Sequence, residues 1–134
     1  MTYPNTEGKG MMSIALTGVA STTGGGIASV ANPEGVSLLI LRSYLYVATP
    51  STGAANLDAG IGAAATTDAT DIISALAING SITGKYYNGQ AIQVSAKTEV
   101  TAPAVWTAST FLNVTGSATS VGFEGTLYVE YVRV

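Results

Sequence analysis

Cysteine and histidine are both absent from this 134-residue chain. Without cysteine there is neither a disulfide framework nor a thiolate metal site, so stability has to come from packing. Without histidine the commonest general base and the commonest metal ligand are missing together, and few enzyme mechanisms remain. Charge is scarce too: 10% of residues are charged and 47% are hydrophobic, whereas ordinary domains carry about 25% charged residues. A surface this poor in charge belongs to a membrane protein, or to a soluble chain that hides much of its outside against partners or relies on Ser, Thr, Asn and Gly for solubility. The longest apolar stretch, residues 36–48, contains Arg42 and Ser43 and falls short of the ~20 residues of a spanning helix. The opening residues Met1-Thr2-Tyr3-Pro4-Asn5-Thr6-Glu7 lack a basic region followed by an apolar one, which predicts a chain made and used without export. The net charge of −3 and the scattered cations Lys9, Arg42, Lys85, Lys97 and Arg133 do not form the basic patch that nucleic-acid binding requires.

What the chain does have is strand texture. Gly, Ser, Thr, Ala, Val and Tyr dominate, and short apolar runs are punctuated by Gly, Pro, Asn and Asp, as in a sandwich or barrel. Residues 1–10 show no periodicity and read as an extended arm, leaving residues 11–134 as one domain. Ile14 and Leu16 alternate with Ser13, Ala15 and Thr17, and a short second strand around Ile27 ends at the Asn32-Pro33-Glu34-Gly35 turn. In residues 36–49, Leu39, Leu41, Leu45 and Val47 fall on one face and Leu38, Ile40, Arg42, Tyr44 and Tyr46 on the other. Both faces being apolar, the strand is expected to lie mid-sandwich and to be covered on both sides, with a second layer or another subunit over its outer face. Tyr44 and Tyr46 suit an interface and equally a semi-buried place in the same domain.

Leu57, Ala59, Ile61 and Ala63 form a small-residue strand, after which Thr67 or Asp68 is placed to cap a short helix holding Ile72, Ile73 and Leu76. Asn79-Gly80 and Asn88-Gly89 are turn signals around Ile82 and Tyr86-Tyr87. Residues 91–95 read as a strand, and Pro103 makes residues 99–104 an edge or a loop. Residues 110–115 form another strand, and the chain closes on the most regular alternation, Phe123, Leu127, Val129 and Tyr131 against Glu124, Tyr128, Glu130 and Val132. A strand this regular is expected to be central and paired with an early one. The fold class expected is therefore all-β, an antiparallel β-sandwich of jelly-roll-like closure with at most one short helix.

Motifs for chemistry fail one after another. Gly80-Ser81-Ile82-Thr83-Gly84-Lys85-Tyr86 has one residue too few between its glycines for a phosphate loop, and Tyr86 stands where the magnesium ligand belongs. Asp58, Asp68 and Asp71 are the one carboxylate cluster; helix capping accounts for Asp68 and Asp71, and the spacing is not that of a calcium loop. Glu124 and Glu130 share a strand face but lie about 20 Å apart, too far for a glycosidase pair. No serine sits in a nucleophile pattern. Asn79-Gly80-Ser81 and Asn113-Val114-Thr115 match the glycosylation pattern, which has little meaning in a chain that is not exported. Trp106, Tyr86 and Tyr87 are compatible with a sugar-stacking platform, although a lone Trp in an all-β chain more often belongs to the core or an interface. No cofactor, metal or small-molecule substrate is expected.

The runs Trp106-Thr107-Ala108-Ser109-Thr110-Phe111-Leu112-Asn113-Val114-Thr115 and Gly122-Phe123-Glu124-Gly125-Thr126-Leu127-Tyr128-Val129-Glu130-Tyr131-Val132 carry a resemblance, together with Leu38-Leu39-Ile40-Leu41-Arg42-Ser43-Tyr44-Leu45-Tyr46-Val47, Thr49-Pro50-Ser51-Thr52-Gly53 and Leu57-Asp58-Ala59-Gly60-Ile61-Gly62. Their texture resembles small structural proteins of tailed bacteriophages, the head decoration or cement proteins. The resemblance covers about two-thirds of the chain and includes no catalytic signature. It implies a non-enzymatic virion protein that binds the outer capsid surface, bridges subunits of the major capsid protein and assembles as a homotrimer. The alternative is a tail-fibre, host-recognition or carbohydrate-binding sandwich. The aromatic side chains Tyr3, Tyr44, Tyr46, Tyr86, Tyr87, Trp106 and Tyr128 are the candidate interface residues.

Overall fold

The computed structural model describes residues 9–22, 25–88 and 103–134. Their regular elements are nine strands: β1 (Lys9–Thr17), β2 (Gly25–Ala31), β3 (Leu38–Thr49), β4 (Asn56–Gly62), β5 (Ile73–Ala77), β6 (Tyr86–Asn88), β7 (Val105–Trp106), β8 (Phe111–Gly116) and β9 (Glu124–Arg133). Lys9 and Gly10, assigned above to the arm, open β1; residues 1–8, with Tyr3, and the strand expected over residues 91–95 lie outside the described residues.

One sheet, here sheet A, runs β1-β9-β3-β6, with β7 pairing the start of β3; sheet B runs β2-β8-β4-β5. Every strand pair is antiparallel. The pairs β1·β9, β2·β8, β3·β6 and β4·β5 are the rungs of one long folded-over ribbon, and β9·β3 and β8·β4 close it into two layers. That winding is a jelly roll. β9 sits inside sheet A between β1 and β3, as its regular alternation leads one to expect.

Between the sheets lies one core, to which sheet A contributes Ile14, Leu16, Leu45, Val47, Leu127 and Val129 and sheet B contributes Leu57, Ala59, Ile73, Leu112 and Val114. At about 25 cal/mol per Å² of apolar surface, burial of such side chains is the main stabilising term. Trp106 belongs to this core with no exposed surface, its indole N–H donating to the Thr110 carbonyl at 3.1 Å. That removes it from the interface and from any sugar platform.

Two expectations are corrected here. Within the chain β3 does not bury two apolar faces along its length. A bulge between Ile40 and Arg42 inserts Leu41 opposite the Tyr131–Glu130 step of β9, so the buried set switches from Leu38 and Ile40 to Ser43, Leu45 and Val47. One extra residue shifts the two-residue side-chain period by one, and two half-buried stretches in opposite phase look like one strand buried on both sides. Nor is there a helix among the described residues. Residues 63–72 form a loop, and the apolar run behind it becomes β5 on the edge of β4, with residues 72–76 all buried. Asp and Thr side chains bonding nearby backbone groups favour such non-helical geometry, and the open edge of β4 supplies the backbone partners a short helix would lack.

Candidate functional site

The outer faces of the two sheets differ in construction. On sheet B the outward positions are Ser29 on β2, Asn113 and Thr115 on β8, and Asp58, Gly60 and Gly62 on β4, brought side by side by the strand register. The loop 63–72 folds back over them. Asn113, 1% exposed, is its anchor: the amide nitrogen donates to the carbonyls of Ala64 (2.9 Å) and Thr67 (3.0 Å), while the amide oxygen accepts from Ser29 Oγ (2.6 Å) and the Thr66 N–H (3.2 Å). Each of its hydrogen-bonding positions is thus engaged. Such an asparagine is no glycan acceptor, and the match of Asn113-Val114-Thr115 to that pattern is incidental.

The acidic cluster is consumed in the same construction. Thr115 Oγ1 donates to Asp68 (2.7 Å), the Ile61 N–H to Asp71 (3.1 Å) and the Ala75 N–H to Asp58 (2.7 Å). Asp68 and Asp71 therefore hold strand and loop, not a helix terminus. Among the described residues no three His, Cys, Asp or Glu side chains gather as a metal-binding group. Thr66 (φ 65°) and Ala75 (φ 52°) are left-handed without being glycine, and each has its N–H bonded by one of these side chains. The loop lies so close that a methyl group on Gly60 would meet Ala69 and the Asp71 nitrogen under 3.0 Å, and one on Gly62 would meet Asn113 Nδ2 at 2.7 Å. Glycine at these two positions is what admits the cover.

On sheet A nothing among the described residues plays that part. Tyr44 faces Tyr128 across β3 and β9, and Tyr46 faces Tyr86 across β3 and β6, so all four lie on the outer face in two adjoining rows. The Tyr46 and Tyr86 rings are 4.7 Å apart at 37°. Tyr86 is 68% exposed and Tyr44 37%. The next row holds Met11, Glu130 and Arg42, with Met11 67% exposed. Arg42 Nε donates to Glu130 at 2.8 Å and its guanidinium reaches the Tyr44 hydroxyl at 3.4 Å. The Glu130 bond, then the Tyr44 contact, hold the guanidinium above its ordinary pKa, so it is charged at any physiological pH.

Sequence reasoning named seven aromatic candidates, and the structure brings Tyr44, Tyr46, Tyr86 and Tyr128 together. Tyr87 is opposite the fully buried Leu45 and packs against the core, so it points the other way. Alternation in the sequence puts Arg42 on the strand face of Tyr44 and Tyr46 and Glu130 on that of Tyr128, but sequence reasoning missed Met11 and the meeting of all three in one row, which depends on the β1·β9·β3 register. On the inner side of that sheet burial, and secondarily the Glu34 carboxylate, pushes the Tyr131 phenol above its usual pKa.

No family model matches the chain, and comparison with curated proteins and with solved structures gives no significant match.

Proposed function

We propose that the chain is a non-enzymatic structural subunit that docks through the outer face of sheet A onto another protein surface, namely the outside of a tailed-bacteriophage head. The observation that carries this is the contrast between a sheet B face closed by the chain's own loop and a sheet A face presenting Tyr44, Tyr46, Tyr86 and Tyr128 in adjoining rows. Tyrosine combines a wide ring with a hydroxyl and is enriched where protein surfaces meet. Arg42 and Glu130 at the border supply an oriented charge pair of the kind that sets register at an interface. On a head, binding to the assembled shell alone would stabilise that state by mass action.

The test is co-sedimentation with heads lacking their decoration protein. The wild-type chain is expected to pellet with them, and Tyr44→Ala with Tyr86→Ala to weaken binding at least about tenfold, as truncation of a central aromatic does. Equal binding by wild type and variant overturns this reading. Exposed tyrosines beside Arg42 and Glu130 are also the parts of a sugar platform. A chain that ignores heads and binds a glycan array through the same tyrosines belongs to host recognition instead.

A further inference from the structure

Each sheet ends in strands whose outer backbone groups have no partner in the sheet, and natural proteins blunt such edges with bulges, prolines, charges or brevity. Three of the four edges here follow that rule. β2 carries a bulge between Gly26 and Ala28. β5 has five residues, an irregular register and the left-handed Ala75. Among the described residues the far edge of sheet A consists of the three residues of β6 and the two of β7. β1 is the exception. It runs nine residues in unbroken register with β9, has no proline or bulge, and its sole charge is the terminal Lys9. No backbone hydrogen bond among the described residues joins its other side. Its outward residues Lys9, Met11, Ser13, Ala15 and Thr17 are all exposed.

We infer that β1 is a self-association edge, pairing antiparallel with β1 of a second copy about a two-fold axis at Ser13. In that register Lys9 stands opposite Thr17 of the second copy, all nine residues are paired, and odd positions face odd ones, so the outer faces coincide. Charge selects the same arrangement. Within one copy Thr17 is paired with Glu124 on its other side, and Glu124 is exposed. Lys9 of one copy and Glu124 of the other then share one row, about 10 Å apart in backbone with only Thr17 between, within reach of both side chains. The two-fold axis makes this contact twice. Neither Lys9 nor Glu124 has an ion-pair partner among the described residues. Elsewhere along the seam Met11 lies over Ala15 and Ser13 meets Ser13, pairings without steric or charge conflict.

The product is one continuous sheet through both copies, with the two tyrosine faces on the same side. An isologous contact of this kind closes at two copies, not at the three of a ring. Two coplanar docking faces also make attachment bivalent, which strengthens it without any new contact to the partner.

A charge-reversal cycle tests the pairing. Within one copy Lys9 and Glu124 lie at opposite ends of β1, about 27 Å apart at the ordinary rise per strand residue, so any coupling between them has to be intermolecular. Sedimentation equilibrium over a concentration series is expected to show a wild-type dimer. Lys9→Glu and Glu124→Lys should each weaken it about tenfold at low salt, by placing like charges in both symmetric rows. The double variant should recover to within about twofold of wild type. A monomer or a trimer at all concentrations overturns the inference, as does a double variant no better than the singles.

Discussion

Sheet A and sheet B have inner faces of one kind and outer faces of opposite kinds. Both inner faces are mainly apolar and meet in a single core. Outside, sheet B presents small and polar positions, which the chain then covers with its own loop through Asn113, Asp58, Asp68 and Asp71. Sheet A presents large amphipathic rings and no cover among the described residues. The difference teaches how to separate stabilising polar residues from recognising ones in a chain so poor in charge. On sheet B polar groups are satisfied internally and side chains are small enough for backbone to approach. On sheet A the groups are wide and exposed, and their bonding capacity faces outward.

The largest expected effect is at the anchor of the cover. Asn113→Ala removes four hydrogen bonds and leaves the Ala64 and Thr67 carbonyls and the Thr66 N–H without that partner. At roughly 1 kcal/mol for each bond, the loss should be about 3–4 kcal/mol in urea unfolding. Detachment of the loop should also open residues 63–72 to protease cleavage; a variant that is as stable as wild type and no more readily cleaved there would mean that the two outer faces do not differ in this way. A smaller effect of opposite sign is expected at Thr66. A β-branched residue at φ 65° is strained, so Thr66→Gly should relieve on the order of 1–2 kcal/mol, less up to about 1 kcal/mol for the added freedom of the unfolded chain. The Thr66 N–H that bonds Asn113 is kept. A higher unfolding midpoint checks it.

These residues also mark the limit of what could be read without coordinates. Alternation in residues 123–132 was sufficient to place β9 and to foresee its central position, because a strand in unbroken register with β1 writes its burial directly into a two-residue period. β3 was legible as a strand but not in its phase, since nothing local announces the bulge that turns Leu41 outward. The helix expected after Asp68 was a local preference overridden by the edge of β4. Four tyrosines of the candidate face were visible as residue types suited to an interface. That they share a face depends on the pairing of β3 with strands about forty and eighty positions away. Asn113 was visible only as part of a glycosylation pattern, because its role rests on a loop about fifty positions upstream.

The smallest expected effect in stability is the most informative for function. Tyr86→Ala on the outer face of sheet A removes a ring that is 68% exposed and that stacks, among the described residues, on Tyr46. Most of its apolar surface is already in water in the folded protein, so its loss should change unfolding free energy by no more than about 0.5 kcal/mol, as at other exposed positions. Asn113→Ala on sheet B is expected to do the reverse, lowering stability while leaving the rows of Tyr44, Tyr46, Tyr86 and Tyr128 in place. Measuring urea midpoint and head binding for both variants gives two effects on two axes. If the Tyr86 variant loses binding at unchanged midpoint while the Asn113 variant keeps binding below its own transition, stabilisation and recognition are divided between the two outer faces. If Tyr86→Ala lowers the midpoint as much as Asn113→Ala, the tyrosine rows serve the fold of this chain, and the docking face has to be sought along the edges of the sheets.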